Sequence, residues 1–384
     1  MGIQDLYQVI YTRAPEVIKI YHLSEFYGYR FAVDISIFLN KYVKSAGETQ
    51  WMELFFLFLC TLKKHGIKTV CVFDGPNPPP EKAREQERRR AEGRKAADRL
   101  EKCMKMRDKL FEEYIPFNQE LSISLQNECK GLIGDTKRLT RQPNWSECGE
   151  VFNVLRCVIE RLEKVALPIT NKHKEKAKMI ADMMGLPIFQ AHGEAEALCA
   201  YMALHNYVDA VLTEDTDVLV YGTPWMVAFK DLKLTEERVY GINLEHLRDS
   251  LGYTQKELLD LCILLGCDYN KRAIGYPPDG KKRKKPIGIG LKGALAMIDE
   301  YRCLEEVEKH LTESEQLIWQ RCREIFTPPS GQEAEEIIKM IPDNRRPDID
   351  AIKTFIASEG LNVSIEYIEK CWRPSSEIVF HDID

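Results

Sequence analysis

The segment Thr69-Val-Cys-Val-Phe-Asp74 is a short run of apolar, largely β-branched residues that ends on an aspartate. Two other segments, Phe31-Ala-Val-Asp-Ile35 and Ala210-Val-Leu-Thr-Glu-Asp215, have the same form. Runs of this length without polar alternation are typical of strands that are buried on both faces of a parallel sheet. The three segments therefore predict an α/β fold with a central, mostly parallel, twisted sheet.

The segments between these strands favour helices, which would flank the sheet. Glu48–His65 is a helical run closed by Gly66, and it makes a βαβ unit with the strands on either side. In the second half of the chain, Thr254 and Glu257 have the spacing of a helix-capping box. There we predict helices at Lys172–Met184, Glu194–His205, Tyr253–Gly266 and Leu291–Tyr301, and a strand at Leu186–Gln190.

The length and composition are those of an ordinary soluble protein. The 384 residues suffice for one large domain or two smaller ones. The net charge of −6 does not exclude a nucleic-acid partner, because binding needs only a local basic field. The twelve cysteines form no C-x-x-C pair, which indicates a reduced, intracellular protein. The longest apolar run, Leu54–Cys60, is far shorter than the ~20 residues of a membrane span, so we expect no membrane association.

Acidic residues recur at the ends of the predicted elements. Seven of them form the candidate site: Asp34, Asp74, Glu194, Glu196, Asp215, Asp217 and Asp268. Taken singly, most are better explained as helix caps or turn residues. Together they would meet at one edge of the sheet, where parallel strands present their carboxyl ends. Seven acids there would repel one another unless cations neutralised them, and their oxygen ligands suit Mg²⁺ or Mn²⁺ rather than zinc. Two such ions roughly 4 Å apart form an arrangement that cleaves phosphodiesters.

Short motifs surround these acids in a fixed order along the chain. They are Met1-Gly-Ile-Gln-Asp-Leu6, Val33-Asp-Ile-Ser36, Val72-Phe-Asp-Gly75, Arg88-Arg-Arg-Ala-Glu92, Gly193-Glu-Ala-Glu-Ala197, Thr213-Glu-Asp-Thr-Asp217, Leu261-Cys-Ile-Leu-Leu-Gly-Cys-Asp-Tyr269 and Gly288-Ile-Gly290. This set resembles the flap endonuclease branch of the XPG-type 5′ nuclease superfamily, with interruptions, over most of the chain. The resemblance implies a PIN-like sheet with a helical arch insertion and a helix-hairpin-helix C-terminal part.

The resemblance also implies two Mg²⁺ ions, for which Mn²⁺ can substitute, and it divides the seven acids between them. Asp34, Asp74, Glu194 and Glu196 would hold the more catalytic ion, and Asp215, Asp217 and Asp268 would complete the second site. In such proteins the processed N-terminus at Gly2 packs beside the site. Asp5 stands where the family usually has glycine.

Two basic side chains would act at the scissile phosphate, because the family places a lysine and an arginine of the arch there. Lys82 matches the lysine. Alignment on the arginine motif puts Gln86 at the arginine position, so Arg84 or Arg88 would have to replace it.

The arch itself is predicted from Glu81–Lys109, which carries twelve lysines and arginines against seven acids. Arg88, Arg89 and Arg90 would hold phosphates of the DNA strand. The alternative is a solvated helix with ion pairs such as Glu85–Arg89.

Three further features are candidates for contact with DNA. Trp51 begins an apolar helix that would pack in the core, form a wedge that splits the duplex, or do both on different faces. Gly288 and Gly290 would offer backbone N–H groups to phosphates, with Lys292 beside them, and members of the family often hold a K⁺ ion there. The basic run Lys281–Lys285 would contact duplex phosphates or serve as a nuclear localisation signal.

We divide the chain into four regions. Residues 1–102 are an N-terminal nuclease region that includes the start of the arch, and residues 103–167 are an enlarged arch or insertion. Residues 168–300 are an internal nuclease region with the helix-hairpin-helix, and residues 301–384 are a helical C-terminal region.

The resulting hypothesis is a 5′ flap endonuclease with 5′→3′ exonuclease activity, acting on branched or flapped double-stranded DNA in replication, repair or recombination. A junction-resolving or mainly exonucleolytic enzyme, a non-catalytic junction-binding scaffold and a PIN-like ribonuclease are the alternatives. We expect a monomer in the nucleus, or at the replication site of a large DNA virus. The C-terminal sequence has no convincing sliding-clamp motif, so clamp binding is not carried over.

Overall fold

The computed structural model describes residue 3, residues 5–112, residues 123, 124, 126, 127 and 129, and residues 148–229, 237–278, 286–329 and 341–372. These residues form two compact units. The sheet unit comprises the described residues within Met1–Leu39, Met52–Arg84 and Lys172–Asp384. The helical unit comprises those within Asn40–Trp51 and Glu85–Asn171.

The sheet unit is built on seven strands in the order β1-β7-β6-β5-β2-β3-β4. The strands are β1 Lys19–His22, β2 Arg30–Asp34, β3 Lys68–Phe73, β4 Ile188–Gln190, β5 Ala210–Leu212, β6 Trp225–Phe229 and β7 Arg238–Asn243. β4, β3, β2, β5 and β6 run parallel, which confirms the predicted mostly parallel sheet. β7 and β1 add antiparallel strands at one edge.

Burial of apolar side chains explains why these segments form the central strands of the sheet. Phe31, Ala32 and Val33 of β2 are fully buried and pair with β3 on one side and β5 on the other. Strands covered on both faces read as continuous apolar runs, which is why the sequence identified them. β1 and β7 were not predicted, because β1 is largely exposed and neither strand carries a continuous apolar run. β6 was also not predicted, although it is apolar and largely buried.

The described residues also form α-helices in both units. They are α1 Leu6–Arg13, α2 Ile35–Ala46, α3 Trp51–Lys64, α4 Ala83–Glu112, α5 Cys148–Ala166, α6 Asn171–Met183, α7 Ala195–Leu204, α8 Asp217–Val220, α9 Leu244–Leu251, α10 Gln255–Leu265, α11 Leu291–Tyr301, α12 Leu304–Val307, α13 Trp319–Ile325, α14 Ile349–Glu359 and α15 Ile365–Cys371. Short 3₁₀ helices lie at Pro15–Val17, Leu23–Phe26, Pro80–Lys82 and Glu308–His310. None of the helices in the described part of the chain is long and apolar enough to cross a membrane.

The predicted helix at Glu48–His65 needs correction. The crossover between β2 and β3 contains two helices, α2 and α3, where the sequence predicted one, and the second begins at Trp51 rather than Glu48. α2 starts directly after Asp34 with no turn residue between strand and helix, so no local signal marks its start. The capping box of α10 is confirmed: Glu257 N–H donates to Thr254 Oγ1 at 3.3 Å, and Thr254 N–H donates to Glu257 Oε2 at 2.7 Å.

The helical unit has a core of its own. α4 is 30 residues long, and α5 is 19 residues long. Ala96 and Cys103 from α4 join Val151, Val154 and Val158 from α5 in one buried apolar cluster. Residues 148–166 of the proposed insert are thus helical, and much of the insert lies outside the described residues.

A small second sheet lies in the sheet unit after α10. It has three short antiparallel strands in the order β10-β8-β9. These are β8 Ile274–Gly275, β9 Ile287–Gly288 and β10 Leu311–Glu313. Ile289 N–H donates to Ala273 O at 2.8 Å, which fixes the start of α11 beside α10.

Candidate active site

The carboxyl edge of the central sheet carries most of the predicted acids. Asp34 is the last residue of β2, and Asp74 follows β3 directly. Glu194 is the N-cap of α7, Asp215 comes three residues after β5, and Asp217 opens α8. Parallel pairing of β2, β3 and β5 brings these positions to one edge, as the sequence predicted.

A close backbone approach joins Asp74 to the start of α7. A Cβ at Gly75 would lie 2.0 Å from Ala191 O, so only glycine fits there, and Gly75 N–H donates to Gly193 O at 2.7 Å. Ala195 N–H donates to Asp74 Oδ1 at 3.1 Å. Carboxylate oxygens of Asp74, Glu194 and Glu196 consequently lie within 4.8 Å of one another, close enough to hold one metal ion.

Three further acids, Asp34, Asp215 and Asp217, accept hydrogen bonds from neighbouring groups of the site. Thr213 Oγ1 donates to Asp34 Oδ2 at 3.5 Å, and Asp217 N–H donates to Asp215 Oδ1 at 3.1 Å. Ile3 N–H donates to Asp217 Oδ1 at 2.8 Å. The N-terminal segment thus reaches the site through Ile3, whereas Gly2 lies outside the described residues.

Lys82 lies among the carboxylates and connects Asp268 to them. Its Nζ is 2.5 Å from Glu194 Oε2, 3.8 Å from Glu196 Oε1 and 4.0 Å from Asp268 Oδ2. It also lies 5.9 Å from the centre of the Tyr269 ring. Tyr269 and Thr213 were not predicted as contributors, although each stands one or two residues from a predicted acid.

The environment of the site disfavours the charged form of several of its carboxylates. Burial, followed by the charges of Asp74 and Asp215, raises the pKa of Asp34 well above its usual range. Burial is also the largest cause that raises the pKa of Glu196 and Asp217. Burial lowers the pKa of Lys82, but the charges of Glu196 and Glu194 outweigh it, and the net pKa is raised.

These observations fit hard divalent cations. The seven predicted ligands offer only carboxylate oxygens, and one ammonium group cannot balance their charge. Desolvated carboxylates that repel one another are stabilised by a cation placed between them. The donor set therefore suits Mg²⁺ or Mn²⁺ better than zinc.

Arg84 does not reach this cluster. Its side chain is exposed and makes no hydrogen bond or ion pair with any residue that the structure describes. Lys82 is therefore the basic group that the sheet unit places among the acids.

The arginines of α4 in the helical unit have acidic partners of their own. Arg89 Nε donates to Glu85 Oε1 at 2.7 Å, and Arg88 pairs with both Glu85 and Glu92. The ion pair Glu85–Arg89 is the one that the solvated-helix alternative predicted. Arg90 is exposed.

The prediction that Trp51 contacts DNA is wrong for this side chain. Trp51 is fully buried, and its indole N–H donates to Glu48 O at 3.1 Å. An aromatic residue at the start of an apolar helix is explained by core packing, the alternative that the sequence left open.

The hairpin residues lie at the surface of the sheet unit. Gly288 belongs to β9 and is exposed, Gly290 caps α11, and Lys292 is exposed in the first turn of that helix. A Cβ on either glycine would meet no atom within 4 Å, so the backbone there is open to a ligand. The basic run Lys281–Lys285 lies outside the described residues.

Comparisons with known proteins agree with this geometry. A family model of the XPG N-terminal domain matches residues 1–96, and a model of the XPG I-region matches residues 185–268. The two matched ranges together contain all seven carboxylates.

Similar curated proteins are flap endonucleases. Flap endonuclease 1-A of Laccaria bicolor is 27% identical, over 94% of this chain and 82% of its own. Flap endonuclease 1 of Nematostella vectensis is 28% identical, over 94% of this chain and 83% of its own.

Solved structures share the fold. The catalytic core of Rad2 in complex with DNA substrate has a TM-score of 0.57 at 17% identity, covering 96% of this chain and 98% of its own. Flap endonuclease-1 from Methanococcus jannaschii has a TM-score of 0.54 at 20% identity, covering 92% and 95%. By the two family models, the relatives along nearly the whole chain and the common fold, this chain is similar to the XPG-type flap endonucleases.

Proposed function

We propose that this chain is a structure-specific 5′ flap endonuclease with 5′→3′ exonuclease activity that hydrolyses DNA phosphodiesters with two Mg²⁺ ions, for which Mn²⁺ can substitute. One observation carries the proposal: acids from separate segments of the chain converge at the carboxyl edge of the sheet around Lys82. The similarity to XPG-type flap endonucleases supports the same chemistry.

The metal ligands are proposed from the grouping of the acids. Asp34, Asp74, Glu194 and Glu196 would hold one ion, and Asp215, Asp217 and Asp268 would complete the other. Ions bound there would supply Lewis-acid chemistry, activating a water for attack on phosphorus and stabilising the leaving oxygen.

Protein groups around the acids orient them and the substrate. Thr213 and the backbone N–H groups of Ala195 and Asp217 hold carboxylate oxygens in place. The raised pKa keeps the Lys82 ammonium charged, so it can donate hydrogen bonds to a phosphate that is brought to this edge.

We propose two surfaces for the rest of the DNA. Gly288, Gly290 and Lys292 would hold phosphates of the uncleaved duplex, because the backbone there is open to close approach. Arg84 and the other arginines of α4 would hold the 5′ strand. The arginines that pair with glutamates would exchange these partners for phosphate. The partner is accordingly branched or flapped double-stranded DNA, and the protein would act as a nuclear monomer.

The four regions of the chain would share this work. Residues 1–102 and 168–300 would supply the nuclease site, and residues 301–384 would complete its helical C-terminal part. Residues 103–167 would enlarge the arch.

The test of the metal chemistry replaces one ligand. With Mg²⁺ present, Asp215→Asn should abolish cleavage of a 5′-flap substrate while binding of the same DNA in Ca²⁺ is retained. The control is Asp350→Asn, because the side chain of Asp350 is 96% exposed on α14. An unchanged cleavage rate for Asp215→Asn would refute the metal assignment.

The substrate preference is tested by comparing a 5′ flap, a blunt duplex and a four-way junction at equal concentrations. We expect the flap to be cut fastest. Strong junction cutting with negligible flap cutting would identify a junction-resolving enzyme, and binding without any cutting would identify a scaffold.

The role of Lys82 is tested by Lys82→Gln. Loss of a positioned charge that stabilises the transition state costs on the order of 10²-fold in kcat. We expect that loss under single-turnover conditions with little change in flap affinity. A loss of affinity with an unchanged single-turnover rate would place Lys82 in binding instead.

A further inference from the structure

A second cluster of metal-binding residue types lies in the sheet unit, at the edge that carries β1 and β7. His22 ends β1, His65 follows the last residue of α3, and Glu237 immediately precedes β7. His65 Nε2 is 2.7 Å and His22 Nε2 is 3.7 Å from the same carboxylate oxygen, Glu237 Oε2. One ligand atom from each residue lies within 4.8 Å of the others.

The backbone holds His22 and Glu237 together independently of their side chains. β1 pairs with β7 so that His22 faces Arg238, and Leu23 N–H donates to Glu237 O at 2.9 Å. Glu237 has φ of 49°, in the left-handed region that non-glycine residues rarely adopt. Backbone strain of this kind persists where surrounding structure enforces it, and it often marks a site.

Neighbouring groups orient the ligands as they do in metal sites. Lys64 Nζ binds the other carboxylate oxygen, Glu237 Oε1, at 2.6 Å, which leaves Oε2 facing the two imidazoles. His22 Nδ1 accepts a hydrogen bond from Ser24 N–H at 3.3 Å and lies 2.8 Å from Ser24 Oγ. Metal binding through Nε2 would move the imidazole proton to Nδ1, which would then donate to the Ser24 hydroxyl in place of accepting from the backbone N–H.

From this geometry we propose that His22, His65 and Glu237 bind one Zn²⁺ ion, separate from the acidic site. Two imidazole nitrogens and one carboxylate are a zinc ligand set, whereas the acidic site offers oxygen alone. Tetrahedral Zn²⁺ with ligands at about 2.0–2.1 Å places neighbouring ligand atoms about 3.3 Å apart. The distances of 2.7 and 3.7 Å lie on either side of that value, so small side-chain rotations suffice.

The fourth position of the ion would face solvent. The side chain of His22 is 45% exposed, while those of His65 and Glu237 are 9% and 19% exposed. The ion would fasten the end of β1 and the end of α3 to the start of β7. Its role would be structural, and the proposal does not depend on the nuclease chemistry.

The first experiment is calorimetric titration of the metal-free full-length chain with Zn²⁺ in a large excess of Mg²⁺, which occupies the acidic site. We expect one equivalent of Zn²⁺ to bind, and this equivalent should be lost in His22→Ala and in His65→Gln. His246→Ala is the matched control, because His246 is an exposed histidine on α9. Retention of the equivalent in both ligand variants would overturn the proposal.

The second experiment identifies the donor atoms. Cu²⁺ added at one equivalent should give an electron paramagnetic resonance spectrum with nitrogen hyperfine structure in the wild type. The double variant His22→Ala/His65→Gln should lose that structure, and Ser24→Ala should weaken Zn²⁺ binding roughly 10-fold. An oxygen-only spectrum in the wild type would overturn the proposal.

The controls for both experiments are the folding of each variant and its nuclease activity. Variants that retain the wild-type circular dichroism spectrum and Mg²⁺-dependent flap cleavage but lose Zn²⁺ binding would confirm a separate site. Loss of zinc-induced thermal stabilisation in His65→Gln, with the metal-free melting temperature unchanged, would confirm the structural role. Equal zinc-induced stabilisation of the wild type and both ligand variants would overturn it.

Discussion

At the residue scale, the environment of each acid decides what it does. Asp217 is buried in the first turn of α8 and accepts a hydrogen bond from the Ile3 amide. Asp5 has φ of 60°, which explains why the family usually has glycine at this position. Aspartate tolerates this conformation better than most residues, and Asp5 Oδ2 accepts a hydrogen bond from Arg272 Nη2 at 2.6 Å.

We predict that Asp217→Asn stabilises the metal-free protein at neutral pH. Burial, then the charges of Asp215 and Asp268, raises the pKa of Asp217 above its unfolded value. The folded state therefore binds the proton more tightly, and the free energy of unfolding falls as pH rises from about 4 through the folded pKa. Asparagine stays neutral and keeps the oxygen that accepts from Ile3, so the gain should be on the order of 1 kcal/mol.

The measurement is the melting temperature in EDTA as a function of pH. The difference between variant and wild type should vanish below about pH 4, where aspartate is protonated in both states. Saturating Mg²⁺ should stabilise the wild type more than the variant. A variant that is less stable than the wild type in EDTA at neutral pH would contradict the assigned electrostatics.

At the scale of elements, α4 is rich in basic residues, and some of them form ion pairs with acidic residues of the same helix. Hydrogen bonding from Arg88 is the largest cause that lowers the pKa of Glu85, and Arg89 adds to it. Exposed ion pairs of this kind contribute little stability, so their exchange for phosphate costs little.

We predict that Arg88→Gln/Arg89→Gln weakens binding of flap DNA and reduces its salt dependence. Each phosphate contact contributes about 0.9 to the slope of log K against log salt for duplex DNA and about 0.7 for single strands. The slope should therefore fall by roughly 1.4–1.8 if both arginines contact phosphate. Fluorescence anisotropy over a salt series in Ca²⁺ measures it.

The matched control for that prediction is Arg345→Gln, because Arg345 is also exposed and paired with an aspartate, Asp182. Glu85→Gln should have the opposite effect on affinity, since it removes one acidic partner from each arginine. Equal salt slopes for the double variant and the wild type would show that this helix does not hold phosphate.

At the scale of the whole molecule, the two units have separate buried cores. Leu212 belongs to β5 in the sheet unit, and Leu155 belongs to α5 in the helical unit. Metal binding stabilises the cooperative unit that holds the ligands. All seven predicted ligands belong to the sheet unit.

We predict two calorimetric unfolding transitions, of which Mg²⁺ raises only the one that belongs to the sheet unit. Leu212→Ala and Leu155→Ala should each lower a different transition, because truncation of a buried leucine costs roughly 2–5 kcal/mol. Differential scanning calorimetry of the full chain with Mg²⁺ and with EDTA makes the comparison. A single transition that both variants and the metal shift equally would show that the units unfold together.

The amino-acid sequence by itself determined the central strands, the order of the seven acids and the capping box of α10, because these depend on continuous apolar runs and local spacing. Those motifs also carry the similarity to XPG-type flap endonucleases.

Tertiary structure alone decided the rest. The contacts of Ile3 with Asp217 and of Lys82 with Glu194 join residues far apart in the chain, and no local pattern encodes them. Burial of Trp51 and the pairing of β1 with β7 follow from packing in the folded protein. The spacing of apolar residues along the chain indicates only part of that packing. The histidine cluster at that edge exists because β1, α3 and β7 meet there, and its members are too far apart in sequence to form a motif.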